Sequence, residues 1–467
     1  MSFTHQQFWF FFAGIAMAYW LVKEKRWQNS LLLLASYIFY GWIQPWLALM
    51  LGISTLVDFF LARGMRRFTA RKYLFMTIGV ILNLGVLAFF KYADFFMKDL
   101  AMVAGSLGIQ SDFFLTRILL PAGLSFYTLK KLGYLFDVMR GTLQPPQSLI
   151  DFALYVSFFP QISAGPIDRP QKLLPQIQSK RTWKPEFFYS AWPLILMGFF
   201  KKIVVANSVE PFTDRIFHLE NPTFLLAVIG ALGFTLQILA DFSAYTDLSR
   251  GISFLLGFET SENFQSPYLS LTPTEFWNRW HITLSTWLRD YIFFPVRRWL
   301  MSRQRRSPTW LELSIPPFVT MLISGIWHGT GWTYLLWGGM YGVLIPIYQA
   351  FGMGGNWKPK NRLYAFFAWL VMFSFIVFGW LLFAAPSIHW VVGIFSNPIL
   401  GSIEQQAVAL IGFSVTAVYS LPMIGLMLIN QYTHQESIVR SIYYALATAA
   451  ILVYLNSSTP DFIYFQF

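Results

Sequence analysis

The sequence predicts an all-α, polytopic integral membrane protein, and three observations predict it. Of 467 residues, 56% are hydrophobic and only 12% are charged, where a soluble domain carries about 25% charge. The apolar residues fall in separate runs rather than in one aqueous core. Basic residues gather between those runs, as they do in cytoplasmic loops. Each spanning helix takes about 20 mostly apolar residues, so the runs make about eleven or twelve transmembrane helices, with re-entrant or interfacial helices besides. The whole chain, 1–467, reads as one membrane domain.

Residues 8–22 have no basic residue before them and Lys23, Lys25 and Arg26 after them, the reverse of a secretory signal. This first helix is retained, with the N-terminus outside. Runs 30–41 and 45–62 follow, parted by Gly41 and Pro45, and 73–90 comes after a loop with five cations, Arg63 to Lys72, and no acid. That loop faces the cytoplasm. An outward loop with Asp94, Asp99 and Asp112 leads into 115–138. Residues 148–164 are apolar but contain Asp151 and end in Gly165 and Pro166, which suits a re-entrant or tilted element as well as a span. After a basic loop, 187–205 goes out, and 223–240 returns from a loop with Glu210, Asp214 and Glu220. Residues 241–310 have shorter apolar pieces and a basic run of Arg297, Arg298, Arg303, Arg305 and Arg306, and are placed on or dipping into the cytoplasmic face. Runs 311–327, 333–351, 363–384, 407–428 and 438–455 complete the count and leave the C-terminus outside.

The net charge of +12 would suit nucleic acid in a soluble protein, but here loop topology accounts for it, and the expected partner is the lipid bilayer. The absence of cysteine excludes disulfides, thiolate metal sites and a cysteine nucleophile. No metal-ligand cluster, G-x-S-x-G elbow or P-loop is present. Gly338 and Gly342, four apart, mark a close helix-packing face, and Trp20, Trp27, Trp42 and Trp46 mark interfacial anchors.

Chemistry concentrates in 271–295, LTPTEFWNRWHITLSTWLRDYIFFP, where Glu275, Asn278, Arg279, His281, Arg289 and Asp290 lie among three tryptophans. Forty-seven positions after His281, His328 follows Trp327 in SGIWHGTGW, flanked by Gly325, Gly329 and Gly331, which leave room for a substrate. Ionisable groups in hydrocarbon cost at least about 2.5 kcal/mol each and so face a polar cavity or one another. For His328 the plain alternative is a core histidine bonded to a carbonyl; for His281 it is a structural network with Glu275, Arg279, Arg289 and Asp290. Two imidazoles at one site, one removing a hydroxyl proton and one orienting, suit acyl transfer from a thioester to an alcohol. The run Arg297 to Arg306 could attract a phosphate-rich donor, although such clusters more often mark topology. Asp241 and Asp247, in ADFSAYTDLSRG, either pair with Arg250 or line a tunnel.

FWNRWHITLSTWLRDYIFFP and SGIWHGTGWTYLLWGGMYG together resemble the membrane-bound O-acyltransferase family, in its bacterial branch with the alginate O-acetyltransferase membrane subunit and the teichoic-acid D-alanyl transferase. Weaker likenesses, from ASYIFYGW through PAGLSFYTLKKLGYLFDVMRG, SAGPIDRPQKLLPQI and DFSAYTDLSRGISFLLGF to FIYFQF, extend the resemblance almost end to end. It implies tilted helices around a thinned centre with a funnel and tunnel. It also implies His328 as the catalytic histidine and His281 as its partner; Asn278, Arg279, Arg289, Asp290 and Trp327 are expected to support them. The sequence departs from the pattern at Asn278, where the alginate protein usually has arginine, and at Lys130 and Lys131, where uncharged residues are usual.

The function expected is transfer of an acyl group, acetyl first of all, from acetyl-CoA or an acyl-carrier thioester, with no permanently bound cofactor. It would cross a bacterial inner membrane to an exported polysaccharide such as an alginate-like polymer, cellulose or peptidoglycan. Expected partners are a periplasmic SGNH-type acetyltransferase and the polysaccharide synthesis and export machinery. D-alanyl transfer to teichoic acid is the alternative within the family, and a polysaccharide or lipid transporter the alternative of another class. The tail 462–467, with Phe462, Tyr464 and Phe467, is either an interfacial aromatic anchor or a relay in which Tyr464 transiently takes the acyl group. Its pattern resembles the tail of the small partner peptide of the D-alanylation system.

Overall fold

The computed structural model describes residues 1–42, 44–106, 121–302, 309–354, 357–434, 437–455 and 462–463, with backbone alone for 93–106. Its regular elements, among the described residues, are all helical. Seven described helices are long and apolar enough to cross a membrane: Pro45–Arg67, Thr69–Tyr92, Pro185–Phe217, Phe224–Leu255, Trp310–His328, Arg362–Ala384 and Ile403–Tyr432. Large apolar side chains stand exposed on them, Leu410, Ile411 and Phe413 among others. Left in water each would forgo about 1.5–3 kcal/mol, so their solvent is lipid and the protein is a multi-pass membrane protein. Where 148–164 left two possibilities, the chain forms the nine-residue helix Leu149–Ser157 followed by buried turns. A helix that short rises only about 14 Å, half of the hydrocarbon core, so it is not a full span.

Contacts divide the chain into two compact units. The first, Met1–Tyr189 with Ile252–Ser261, gives its buried charges specific polar partners. Lys131 meets Asp58 at 3.0 Å, and Asn83 donates to the same carboxylate at 2.9 Å. Lys130, about 100° round the Leu124–Arg140 helix, donates instead to Gln161 at 3.1 Å and lies over the Tyr155 ring. Gln161 in turn donates to Asp168 at 2.6 Å, which accepts from the Ser261 backbone. Both lysines are thus core residues, Lys131 ion-paired and Lys130 hydrogen-bonded. Gly123 opens their helix at φ +78°, and a Cβ there would stand 2.2 Å from the Ile162 carbonyl oxygen, so only glycine fits.

The second unit, Ser190–Gly251 with Glu262–Phe467, holds the candidate residues. Phe224–Leu255 continues 15 residues beyond Ala240, so the polar change at 241 is not an element boundary. Helix persists there because the acids are neutralised. Asp241 pairs with Lys202 at 2.5 Å and Asp247 with Lys201 at 2.7 Å, whereas Arg250, one of the two alternatives the sequence offered, lies 3.7 Å from Glu262. Lys201 and Lys202 are consecutive in a π-helical stretch, Phe200–Ala206, that interrupts the Pro185–Phe217 span. Residues 273–301 run as four short pieces: Pro273–Arg279, Ile282–Leu288, a second π-helical turn Arg289–Phe293, and Phe294–Met301.

Candidate active site

The break after Pro273–Arg279 creates the first half of the site. Trp280 is extended and His281 adopts φ +41°, ψ +53°, a left-handed conformation in a residue that is not glycine. Such strain costs about 1–3 kcal/mol and persists only when neighbours enforce it. Asn263 is the enforcer. Its backbone carbonyl accepts from Ile282 N at 3.0 Å, and its side-chain oxygen accepts from Thr283 N at 3.1 Å and from the Thr283 hydroxyl at 2.7 Å. That oxygen does for Ile282–Leu288 what an N-cap side chain ordinarily does, while His281, at the N-cap position, makes no capping bond with its ring. The imidazole is left to point inward, 1% exposed. It lies edge-on to Phe242, with centroids 4.8 Å apart, and 6.4 Å from Trp327.

His328 forms the second half, in the last turn of Trp310–His328. Its ring is buried and edge-on to Trp327 at 4.8 Å, Trp337 at 5.1 Å and Phe383 at 5.1 Å. Trp327 is therefore a neighbour shared by both histidines, which lie near one another across its indole ring. The glycines beside His328 do something other than admit a substrate. A Cβ on Gly325 would lie 2.3 Å from the Tyr334 carbonyl oxygen, and one on Gly329 would lie 2.2 Å from the Tyr334 ring. Both are filled by the following helix, Trp332–Ala350, and the space is used for packing.

Burial drives the His281 pKa down from its ordinary 6.5 to about 3, because an imidazolium loses its hydration there. His281 is accordingly neutral at physiological pH, with one N–H to donate and one nitrogen to accept. A nitrogen that holds a proton so weakly is a poor general base near neutrality. It is suited to orienting a group by hydrogen bonding.

A cavity of about 220 Å³ lies in the same unit as this pair, lined by Trp277, Asn278, Arg289, Thr320, Met321 and Gln349 among others. Two rings separate it from His328, since Trp277 meets Trp337 at 5.5 Å and Trp337 meets His328 at 5.1 Å. Asn278 and Arg289 thus belong to the cavity, and Trp327 to the histidines. Arg279 pairs with Glu275 at 2.7 Å and Arg289 with Asp290 at 3.1 Å. These are local pairs of partly exposed residues, worth about 0–1 kcal/mol each. Arg297 and Arg298 are exposed; Arg303, Arg305 and Arg306 lie outside the described residues, as does Tyr464. Phe462 is described, and at 1% exposure its ring is in the protein interior rather than at a lipid interface.

The sequence reading passed over Asn263, Phe242, Trp337, Phe383 and Lys202. Only Lys202 carried a visible signal, two consecutive cations inside an apolar run, which in a membrane calls for a named counter-ion.

Residues 143–387 match the model of the membrane-bound O-acyltransferase family. A protein named probable alginate O-acetylase, from Pseudomonas putida, is 38% identical over 395 residues, covering 83% of this chain and 78% of that protein. A peptidoglycan O-acetyltransferase of Helicobacter pylori is 31% identical over 81% of this chain and 75% of its own length. A teichoic acid D-alanyltransferase of Bacillus subtilis is 28% identical over 57% of this chain and 69% of its own length.

Proposed function

The chain belongs to the membrane-bound O-acyltransferase family, and from that premise we propose that it moves an acetyl group from a cytoplasmic thioester across a bacterial inner membrane for O-acetylation of an exported polysaccharide. It is an O-acyltransferase, and the observation that carries the mechanism is Trp327 lying against both buried histidines. His328 takes the proton of the acceptor hydroxyl as its oxygen attacks the thioester carbonyl. The C–S bond then breaks, and the thiolate of coenzyme A or of an acyl carrier recovers that proton, leaving an ester and a free thiol. His281, neutral throughout, orients the reacting group. Trp277 and Trp337, between the cavity and His328, keep bulk water from the thioester. No permanently bound cofactor enters this scheme.

The acceptor in this reading is the Tyr464 phenol. A phenol of ordinary pKa about 10 needs a base at neutral pH. The tyrosyl ester then passes its acetyl to the serine hydroxyl of a periplasmic SGNH-type acetyltransferase, which returns the phenol and modifies the polymer beside the synthesis and export machinery. Residues 1–467 act as one domain in this scheme, with both termini outside. The relatives named for alginate and peptidoglycan acetylation support acetyl and a polysaccharide. D-alanyl transfer to teichoic acid is the second reading, favoured by Asn278 and by the 28% identical relative of that name.

The test is His328→Ala assayed in membranes with an acetyl thioester and the partner proteins. Polymer acetylation and thioester consumption should both fall by about 10²- to 10⁴-fold, the usual share of a general base, at unchanged membrane abundance. Near-normal acetylation removes His328 from the mechanism. Polymer export by the wild type without any thioester consumption makes the protein a transporter instead.

A further inference from the structure

Asp241 and Phe242 are consecutive residues near the middle of Phe224–Leu255 and serve different partners. Phe242 lies edge-on to His281. Asp241, 2% exposed, receives Lys202 Nζ on one carboxylate oxygen at 2.5 Å and the backbone N–H of Ile463 on the other at 2.7 Å. The Lys202 ammonium is in turn 4.9 Å from the centre of the Phe462 ring, and that ring stands edge-on to Tyr245 at 5.0 Å. An ion pair inside a membrane protein and the C-terminal segment are therefore satisfied by the same contacts.

Each contact meets a physical need. A buried carboxylate with one ammonium partner still has a lone-pair side to fill, and the Ile463 amide fills it. A buried ammonium gains from the negative face of an aromatic ring, which Phe462 supplies. Lys202 reaches both from a π-helical stretch, a distortion frequent at functional sites. An aromatic anchor would hold its ring in the lipid interface; Phe462 is held deep in the second unit instead.

We infer that Lys202 and Asp241 are positioning residues: their ion pair is a dock that seats the C-terminal segment, by the Phe462 ring and the Ile463 amide, next to the helix residue that packs on His281. Tyr464 is the next residue in the chain after the docked Ile463. The functional use of the dock rests on the reading of Tyr464 as acyl acceptor; the dock itself does not.

The chain contains no cysteine, so Gln466→Cys gives the tail a unique label without touching Phe462, Tyr464 or Phe467. Full-length protein in membranes is treated with a membrane-impermeant maleimide. Phe462→Ala and Lys202→Met should each speed labelling by about tenfold or more and lower polymer acetylation to a similar degree. Phe462→Tyr, which keeps the ring, should stay near the parent in both. Phe462→Ala leaves every membrane helix intact, so it serves where Lys202→Met fails to accumulate. Unchanged labelling in Phe462→Ala overturns the dock. Faster labelling with unchanged acetylation, while Tyr464→Phe is inactive, overturns the positioning role and leaves the relay standing. Full activity of Tyr464→Phe removes the relay, and the labelling rates still decide the dock.

Discussion

A methyl group placed on Gly325 would stand 3.5 Å from the Cα of Gly338, and one on Gly338 would stand 3.4 Å from the Cα of Gly325. Backbone meets backbone at this crossing, and the tightest contacts are with carbonyl oxygens, Tyr334 on one side and Met321 on the other, each 2.3 Å from the missing Cβ. The crossing lies one turn before His328 and fixes where that ring can be. Gly338→Ala should push the two helices apart. A displacement of about 1 Å in a catalytic group can cost about 10²-fold in rate, and a loss of that order is expected at normal membrane abundance. Gly339→Ala is the control, because its nearest neighbour, a Leu322 methyl, is 3.9 Å away and the added carbon meets no clash. Equal activity of the two variants would show that the crossing does not set the position of His328.

Asn263 should behave as a positioning residue for His281. Asn263→Ala deletes the oxygen that receives both the Thr283 amide and the Thr283 hydroxyl, a cap-type loss of about 1 kcal/mol, and frees the His281 backbone to leave its left-handed conformation. Turnover should fall about tenfold with little change in the apparent affinity for the thioester. Asn263→Asp retains the accepting oxygen and should recover most of the rate. A change confined to thioester affinity would place Asn263 at the donor site rather than behind His281.

What could be seen in the sequence was what lies in consecutive residues. The apolar runs announced the spans, and two histidines in polar islands among tryptophans announced a shared neighbourhood, in which Trp327 lies against both rings. Contacts between distant residues were beyond reach. Asn263 sits in the irregular stretch SENFQSP with no periodicity to mark it, and its role appears only when the chain turns back at Ile282. For Asp241 the sequence offers Arg250, close along the chain, or a tunnel lining, whereas the cation that satisfies it is Lys202, 39 positions away on another helix. Gly325 and Gly329 looked like open space because the side chain that fills them, Tyr334, belongs to the next helix.

Lys131 and Asp58 predict a stability pattern opposite to simple addition. Lys131→Met leaves the Asp58 carboxylate buried without its cation, which should destabilise the protein by about 3–5 kcal/mol. The double variant Lys131→Met with Asp58→Leu removes both charges and should recover most of that loss, because Asn83 keeps its bond to the Gly79 carbonyl at 2.9 Å. Thermal midpoints in detergent measure all three proteins. A double variant as unstable as Lys131→Met would mean that specific packing, not charge desolvation, dominates at this site.

His281 predicts an acid limit to stability with a known sign. Its pKa is about 3 in the folded protein against 6.5 for an ordinary histidine, so between those values the unfolded chain binds a proton that the folded one refuses. The contribution is therefore fully present above pH 6.5 and is lost as pH falls toward 3, at about 1.4 kcal/mol per pH unit. From pH 6.5 to 4.5 the wild type should lose about 2 kcal/mol through this residue, the slope reaching its full value only below pH 6. His281→Asn can still hydrogen-bond but carries no titrating group, so its stability should fall less over the same interval, by that amount. Because the ring stays neutral across the range, it should contribute no acid limb to the rate profile, and in a His281→Asn enzyme that remains active the acid limb should keep its midpoint. Parallel losses of stability for wild type and His281→Asn between pH 6.5 and 4.5 would show that the imidazole is solvated and free to take a proton, and the assignment of His281 as a neutral orienting group would then fail.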